Sequence, residues 1–184
     1  MADIERLKLL TAQMSLEPAE DTGCPQLPPG REEDVHVGLA RLPNGQQIKL
    51  LKTLLTSACE RNCNYCPFRA GRDFRRATFK PEEFASTFLA LHRAGAVEGL
   101  FISSGVVRGG LHTQDLLLDT ADILRNKAGY TGYLHLKIMP GAERAQVEQA
   151  MRLADRVSIN LEAPNTRRLA DLAPRKQFLE ELLQ

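Results

Sequence analysis

Three of the four cysteines in this chain stand close together, at Cys59, Cys63 and Cys66. Their spacing, C-x3-C-x2-C, follows directly after a predicted strand, so the three thiols share one short loop. Thiolates are the soft donors that hold iron–sulfur clusters. Three protein ligands leave the fourth iron of a cubane with an open position, which is what chemistry at a metal requires. The spacing therefore predicts a [4Fe–4S] cluster on this loop.

A structural zinc site is the alternative interpretation of the same loop. Structural zinc prefers four ligands and paired C-x2-C knuckles, whereas this sequence has no second pair and no histidine at finger spacing. The remaining cysteine, Cys24, lies in a loop rich in proline and glycine, where nothing marks it as a fourth ligand. Clustered cysteines are also a poor layout for disulfides, which favours the cytoplasm as the location.

The segments that position this loop alternate between strands and helices. A helix over 3–14, a loop over 15–33 and a hairpin turn at Asn44-Gly45 come first. Predicted strands then cover 48–56, 99–103, 133–138 and 157–161, and predicted helices cover 81–94, 113–127, 143–154 and a last segment capped by Asn165. Strands that alternate with helices in this way predict an α/β fold made of βαβ units around a parallel sheet.

Two of the predicted strands carry polar side chains on one face. Because side chains alternate along a strand, the last strand turns Ser158, Asn160 and Glu162 to the same side. In the strand before it, His135 and Lys137 share a side opposite aliphatic residues. A polar inner face predicts a sheet that holds a ligand in its interior, and a polar edge strand against water is the alternative.

At the cysteine loop the sequence resembles the radical SAM superfamily. The signature of that superfamily, C-x3-C-x-aromatic-C, is matched by Cys59, Cys63, Tyr65 and Cys66. The resemblance implies a partial (β/α) barrel of the radical SAM type, of which about four βα units are present here. It implies that the open iron chelates S-adenosylmethionine (SAM) and that reductive cleavage of SAM gives a 5′-deoxyadenosyl radical. It also implies that Tyr65 lies against the adenine.

The same resemblance implies contacts to the methionine part of SAM. The family has Gly-Gly-Glu after its second strand, and Ser103-Ser104-Gly105 stands in that place here. Since the carboxylate is absent, serine hydroxyls or backbone carbonyls must bind the ammonium group. Lys137, at the end of the third strand, is the candidate partner for the SAM carboxylate, with a surface lysine as the equal alternative.

At the end of its fourth strand the family places polar side chains on the ribose hydroxyls and on methionine. Ser158, Asn160 and Glu162 occupy that position in this sequence. The alternation of polar and apolar residues turns the same three side chains inward without reference to the family. His135, by contrast, is interpreted as a hydrogen-bonded interior histidine rather than as a ligand.

A closer resemblance covers most of the chain. The stretches 48–69, 98–108, 132–142 and 154–165 are similar to a group described as DNA modification or repair radical SAM proteins. Members of that group accompany a uracil-DNA-glycosylase-like protein, which implies that protein as a partner and nucleic acid as the substrate. Reductive cleavage of SAM also implies an electron donor.

A basic segment supports the interpretation that the substrate is nucleic acid. Six cations and one acid, Asp73, stand between positions 61 and 80, and the cations are Arg61, Arg69, Arg72, Arg75, Arg76 and Lys80. A basic segment at the mouth of the site predicts contacts to phosphates. A solvated surface segment is the favoured alternative for any such run of charges.

The sequence divides into an N-terminal extension over 1–47, made of helix, Pro/Gly-rich loop and hairpin, and a radical SAM core over 48–184. The core holds the N-terminal two-thirds of the expected barrel and ends inside a predicted helix, so we expect a C-terminally truncated chain. A truncated, non-catalytic iron–sulfur or zinc-binding remnant is the second functional interpretation. With a net charge of +1 and no apolar stretch long enough to span a bilayer, the sequence indicates no membrane partner.

Overall fold

Strands and helices alternate along the chain. The computed structural model describes residues 2–14, 34–42 and 44–183. In these ranges the helices are α1 (Ala2–Gln13), α2 (Pro81–Arg93), α3 (Gly109–Asp122), α4 (Arg144–Leu153) and α5 (Thr166–Leu172). The strands are β1 (Val37–Arg41), β2 (Gln47–Leu54), β3 (Gly99–Ser103), β4 (Leu134–Lys137) and β5 (Arg156–Ser158). The predicted loop over 15–33, with Cys24, lies outside the described residues.

One sheet joins the five strands in their chain order, β1-β2-β3-β4-β5. β1 runs antiparallel to β2, and the other neighbours are parallel. The antiparallel pair closes at the predicted turn, where Gly45 has a φ of 85° and the Gln46 amide donates to the Asn44 side chain over 3.0 Å. Four parallel strands joined by helical crossovers confirm the predicted α/β fold made of βαβ units.

The helices cover the apolar face of this sheet. Aliphatic residues of β3 and β4 are fully buried there against large residues of α2 and α3, and this core includes Phe84, Phe88, Leu100, Ile102, Leu117, Leu134 and Leu136. Lys80 precedes α2 and Pro81 occupies its first turn, where a missing amide costs nothing. Burial of this apolar stripe holds the crossovers against the sheet.

The N-terminal helix packs against β2 and α2. Leu7 and Leu10 of α1 are fully buried in the same core. Arg6 extends from α1 to the first turn of α2, where its Nη1 atom lies 2.9 Å from Glu83 Oε2. None of the described helices combines the length and apolar character that a membrane span requires.

The structure differs from the predicted elements in several boundaries and in the type of two helical segments. α3 begins at Gly109 instead of at 113, because Arg108 and Gly109 adopt positive φ angles and the Thr113 hydroxyl bonds to Val107, so the glycine pair starts the helix. α3 continues as a π-helical turn over Ile123–Lys127. β5 ends at Ser158 and not at 161. The predicted C-terminal helix is a single π-helical turn, Phe178–Leu182.

Candidate functional site

A cavity of about 290 Å³ opens where the parallel strands end. The last residues of three strands line it: Leu54 of β2, Ser103 of β3 and Lys137 of β4. The carboxyl ends of strands in parallel α/β sheets are where ligands bind. The structure brings ten of the eleven predicted site residues to this cavity, namely Cys59, Cys63, Tyr65, Cys66, Ser103, Ser104, Gly105, Lys137, Asn160 and Glu162.

The cysteine loop forms one wall of the cavity. Cys59, Cys63 and Cys66 are free thiols, of which Cys63 is buried and the other two are half-buried. Within the loop, the Cys66 amide donates to the Cys63 carbonyl over 3.2 Å. Within the described ranges, no trio of His, Cys, Asp or Glu side chains is arranged to hold a single metal ion.

Burial favours the protonated form of two of the three thiols, those of Cys63 and Cys66. Burial raises the pKa of Cys63, although the positive charge of Lys176 opposes the rise. Burial also raises the pKa of Cys66 to about 11, against a hydrogen bond from the Phe68 backbone. Since iron binds thiolates, loading of the site must release these protons.

A close backbone approach places the end of β3 against the cysteine loop. The Gly105 amide donates to the Thr56 carbonyl over 2.7 Å. A Cβ atom on Gly105 would lie 2.1 Å from the Ala58 carbonyl oxygen and 3.2 Å from the Cys59 Cβ atom. Glycine is therefore required where the Ser103-Ser104-Gly105 segment meets the loop. The Ser104 hydroxyl turns back to donate to the Gly105 carbonyl over 2.8 Å.

Polar side chains form the opposite wall. Lys137 is buried, with 7% of its surface exposed, and its ammonium group donates to Asn160 Oδ1. The alternative of a surface lysine is therefore wrong. Lys176 Nζ lies 2.9 Å from Glu162 Oε1, and both side chains are largely buried. Burial raises the pKa of the half-exposed Tyr65, and a hydrogen bond to Glu162 adds to the rise.

The backbone after β5 leaves the strand conformation before it reaches the cavity. The Ile138 amide donates to the Ser158 carbonyl over 2.7 Å. Beyond it, Glu162 has a φ of 64° and the Ala163 amide bonds back to Leu161. A positive φ at a non-glycine residue is uncommon and marks a constrained position. Asn160 and Glu162 line the cavity, but both lie beyond the end of β5, and Glu162 is the central residue of this tight turn.

Ser158 is the predicted site residue that the cavity does not include. Its hydroxyl lies 2.8 Å from His135 Nε2. His135 is buried, and its ring meets the edge of Phe101 with a centroid distance of 4.7 Å. The interpretation of His135 as a hydrogen-bonded interior histidine is therefore confirmed. The partner of His135 is the Ser158 hydroxyl, which the family resemblance had assigned to SAM.

The buried imidazole makes stability depend on pH. Burial lowers the pKa of His135 to about 4, and three cations act in the same direction, Arg156, Lys137 and Lys52. The unfolded chain therefore takes up this proton first, so the contribution of His135 is present above pH 6.5 and is lost as pH falls toward 4. We expect the free energy of unfolding to decrease by about 2 kcal/mol between pH 7 and pH 5 from this residue. Urea unfolding of wild type and His135→Gln at both values measures it, and equal pH dependence in the two chains would contradict it.

The basic segment has two kinds of arginine. Arg61, Arg69 and Arg76 make contacts inside the molecule, and Arg76 alone donates to the carbonyls of Ser57 and Phe68 over 2.7 and 2.8 Å. These three arginines therefore have side-chain donors that are already bonded inside the molecule. Arg72, Arg75 and Lys80 are exposed.

Lys176 is a charged cavity residue that the sequence did not reveal. It follows α5, in a segment whose residues have neither strand nor helix period. No motif surrounds it, so only the return of the C-terminal segment to the cysteine loop identifies it. Its charge lies close enough to Cys63 and Cys66 to favour their thiolates.

The donor set and the shape of the cavity fit an iron–sulfur cluster. Three thiols from one loop face a common space, and thiolates are the ligands such clusters use. The adjoining wall offers a cation, an amide and a carboxylate at Lys137, Asn160 and Glu162. A zwitterionic amino-acid group beside a cluster needs groups of this kind.

Comparisons with known proteins agree with this geometry. A family model described as the radical SAM superfamily matches residues 53–184. One solved structure of similar fold is HydG, a maturase of the [FeFe]-hydrogenase, with a TM-score of 0.56 and 14% identity over 70% of this chain and 29% of that one. HydG from Carboxydothermus hydrogenoformans gives a TM-score of 0.59 and 19% identity over 72% of this chain and 31% of that one. This chain thus spans about three tenths of either maturase. No curated protein sequence matches it.

Proposed function

The chain belongs to the radical SAM superfamily, and from this premise we propose that Cys59, Cys63 and Cys66 ligate a [4Fe–4S] cluster and that the adjoining cavity binds SAM. Proteins of this superfamily bind both groups. The observation that carries the proposal is the convergence of three thiols and the polar wall on one cavity at the ends of the strands. When bound, the cluster supplies the electron that cleaves SAM to methionine and a 5′-deoxyadenosyl radical.

The polar wall accounts for recognition of the amino-acid part of SAM. Lys137 is a buried cation that faces the cavity, and its ammonium group is the donor for a carboxylate. Asn160 fixes this ammonium group through its side-chain oxygen. Glu162 supplies a carboxylate for the sulfonium or the ribose hydroxyls, and Lys176 forms an ion pair with that carboxylate over 2.9 Å.

Backbone carbonyls at the end of β3 can accept hydrogen bonds from the ammonium group of SAM, in place of the glutamate that the family usually has there. The Ser103 carbonyl accepts from the Leu55 amide over 2.8 Å, and the Gly105 carbonyl accepts from Ser104. A carbonyl oxygen has two lone pairs, so each keeps one acceptor site. Both residues line the cavity. Backbone acceptors therefore replace the missing side chain.

Anaerobic reconstitution with iron and sulfide, followed by metal analysis, tests the proposal. We expect about four irons per chain and, under reduction, conversion of SAM to 5′-deoxyadenosine. Bound zinc in place of iron would contradict the cluster. A full cluster without SAM cleavage would favour the non-catalytic remnant.

We propose nucleic acid as the substrate class, with a uracil-DNA-glycosylase-like protein as a partner and a separate electron donor. The support is the resemblance over 48–69, 98–108, 132–142 and 154–165 together with the exposed cations Arg72, Arg75 and Lys80. These cations follow the cysteine loop in the chain. A surface of this kind can hold a phosphate backbone near the site.

The salt dependence of DNA binding tests whether the exposed arginines Arg72 and Arg75 contact phosphates, with the internally bonded Arg76 as the comparison. Replacing Arg72 and Arg75 together by glutamine should reduce the slope of log affinity against log salt by about 1.4 to 1.8, since each phosphate contact contributes roughly 0.7 to 0.9. Iron content should stay unchanged. Arg76→Gln serves as the comparison, because its loss removes carbonyl contacts and should lower stability instead. An unchanged slope in the double variant would assign the segment to a solvated surface.

A further inference from the structure

The C-terminal segment returns to the cysteine loop across more than a hundred residues of sequence. The Asn64 amide donates to the Leu172 carbonyl over 2.7 Å, and the Asn64 side chain donates to the Asp171 carbonyl over 2.7 Å. The Arg175 guanidinium donates to the Glu60 carbonyl over 3.2 Å. These bonds attach both halves of the loop to residues 165–182, which we call the clasp.

An ion pair joins the same two segments. Arg61 Nη2 lies 2.5 Å from Glu181 Oε1, and the two side chains are 15% and 17% exposed. Arg61 also donates to the Arg175 carbonyl. The Glu181 carbonyl accepts from the Gly141 amide over 3.0 Å. The side chains of Arg61 and Glu181 therefore connect the cysteine loop to the clasp, and the Glu181 backbone connects the clasp to the loop that follows β4.

The clasp also covers the central cysteine. Cys63 is 6% exposed and packs in a small apolar cluster with Leu169, Ala173 and Leu182 of the clasp. This cluster is separate from the main core of the sheet. The position of Cys63 thus depends on contacts that the N-terminal part of the sheet does not make.

We propose that the clasp holds the cysteine loop in the conformation that ligates the cluster, with Arg61 and Glu181 as a positioning pair. The inference rests on the proposed function, because it takes Cys63 as a ligand. Fixing an irregular loop costs conformational entropy for every residue, and hydrogen bonds to charged groups offset this cost more than neutral ones. Residues that orient ligands commonly change metal affinity about 10- to 100-fold when they are removed.

Iron release from the reconstituted chain tests the positioning pair. Wild type, Arg61→Ala, Glu181→Ala and the double variant are mixed anaerobically with a ferrous chelator, and the rate of iron loss is followed. We expect each single variant to lose iron at least about tenfold faster. Because the two side chains act as one pair, the double variant should be no more than about twofold faster than the faster single variant. Arg144→Ala is the control, since its ion pair with Glu148 is exposed on α4.

A second measurement uses the cluster-free chain and does not depend on iron. Alkylation of Cys63 by iodoacetamide, followed by peptide mass spectrometry, should be faster in Arg61→Ala and Glu181→Ala than in wild type or Arg144→Ala. Rates equal to wild type in both measurements would overturn the clasp. Single-variant effects that multiply in the double variant would overturn the pairing of Arg61 with Glu181. A wild-type chain that binds no iron would defeat the proposed function, while the alkylation rates would still decide the clasp.

Discussion

The Cys63→Ala chain is expected to retain no [4Fe–4S] cluster after anaerobic reconstitution, whereas wild type should hold about four irons. Cys63 is the middle one of the three proposed ligands, and its removal leaves two thiols on the loop, which cannot hold a cubane against exchange. Iron and sulfide analysis together with the visible absorption of the cluster gives the result. Cys59→Ala and Cys66→Ala should behave in the same way.

Two controls separate loss of ligation from loss of packing. Cys63 is buried, so alanine also removes apolar contacts to the clasp. Cys63→Ser keeps a side chain of the same shape and number of heavy atoms but replaces the thiol by a hydroxyl, and we expect it to lose the cluster equally. Cys24→Ala should keep full iron content. A cluster that persists in Cys63→Ala, or disappears in Cys24→Ala, would show that the ligand set is wrong.

Gly105→Ala is expected to cost about 3 kcal/mol in the free energy of unfolding, near the upper end for overpacking. The new Cβ atom would meet the Ala58 carbonyl oxygen at 2.1 Å, so the backbone of β3 and that of the cysteine loop must separate. Backbone atoms on both sides leave no flexible side chain to absorb the displacement. Denaturant unfolding of the cluster-free chain measures the cost, and iron content after reconstitution should also fall.

Gly38→Ala provides the matched control for this substitution. Gly38 lies in β1, and a Cβ atom there would approach nothing closer than the Leu50 carbonyl oxygen at 4.0 Å. We expect its effect to stay within about 0.5 kcal/mol. Equal costs at Gly105 and Gly38 would mean that the loss of glycine itself, and not the close approach, explains the result.

The sequence determined the features that depend on neighbouring residues. The cysteine spacing, the hairpin turn at Asn44-Gly45 and the alternation of strands and helices are local patterns, and the structure places the strand over 99–103 where its apolar run predicts it. Lys137, the last residue of its strand, lines the cavity on the side that alternation predicts. Short-range periodicity is enough for such features because each residue needs only its own element to define its direction. Asn160 and Glu162 also line the cavity, but they lie beyond the end of β5, where the strand period no longer applies.

Only the tertiary structure decided which polar groups are used inside the molecule. Arg61 and Arg76 belong to the basic segment that the sequence associates with phosphate binding. In the structure, Arg61 donates to Glu181, and Arg76 donates to backbone carbonyls. Ser158 has the right position in its strand, but His135 across the sheet binds its hydroxyl. Partners such as Arg61 and Glu181, which are 120 residues apart, leave no periodic signal. A charged or polar side chain is equally compatible with solvent, ligand or a distant backbone group until folding brings one of them within hydrogen-bonding distance.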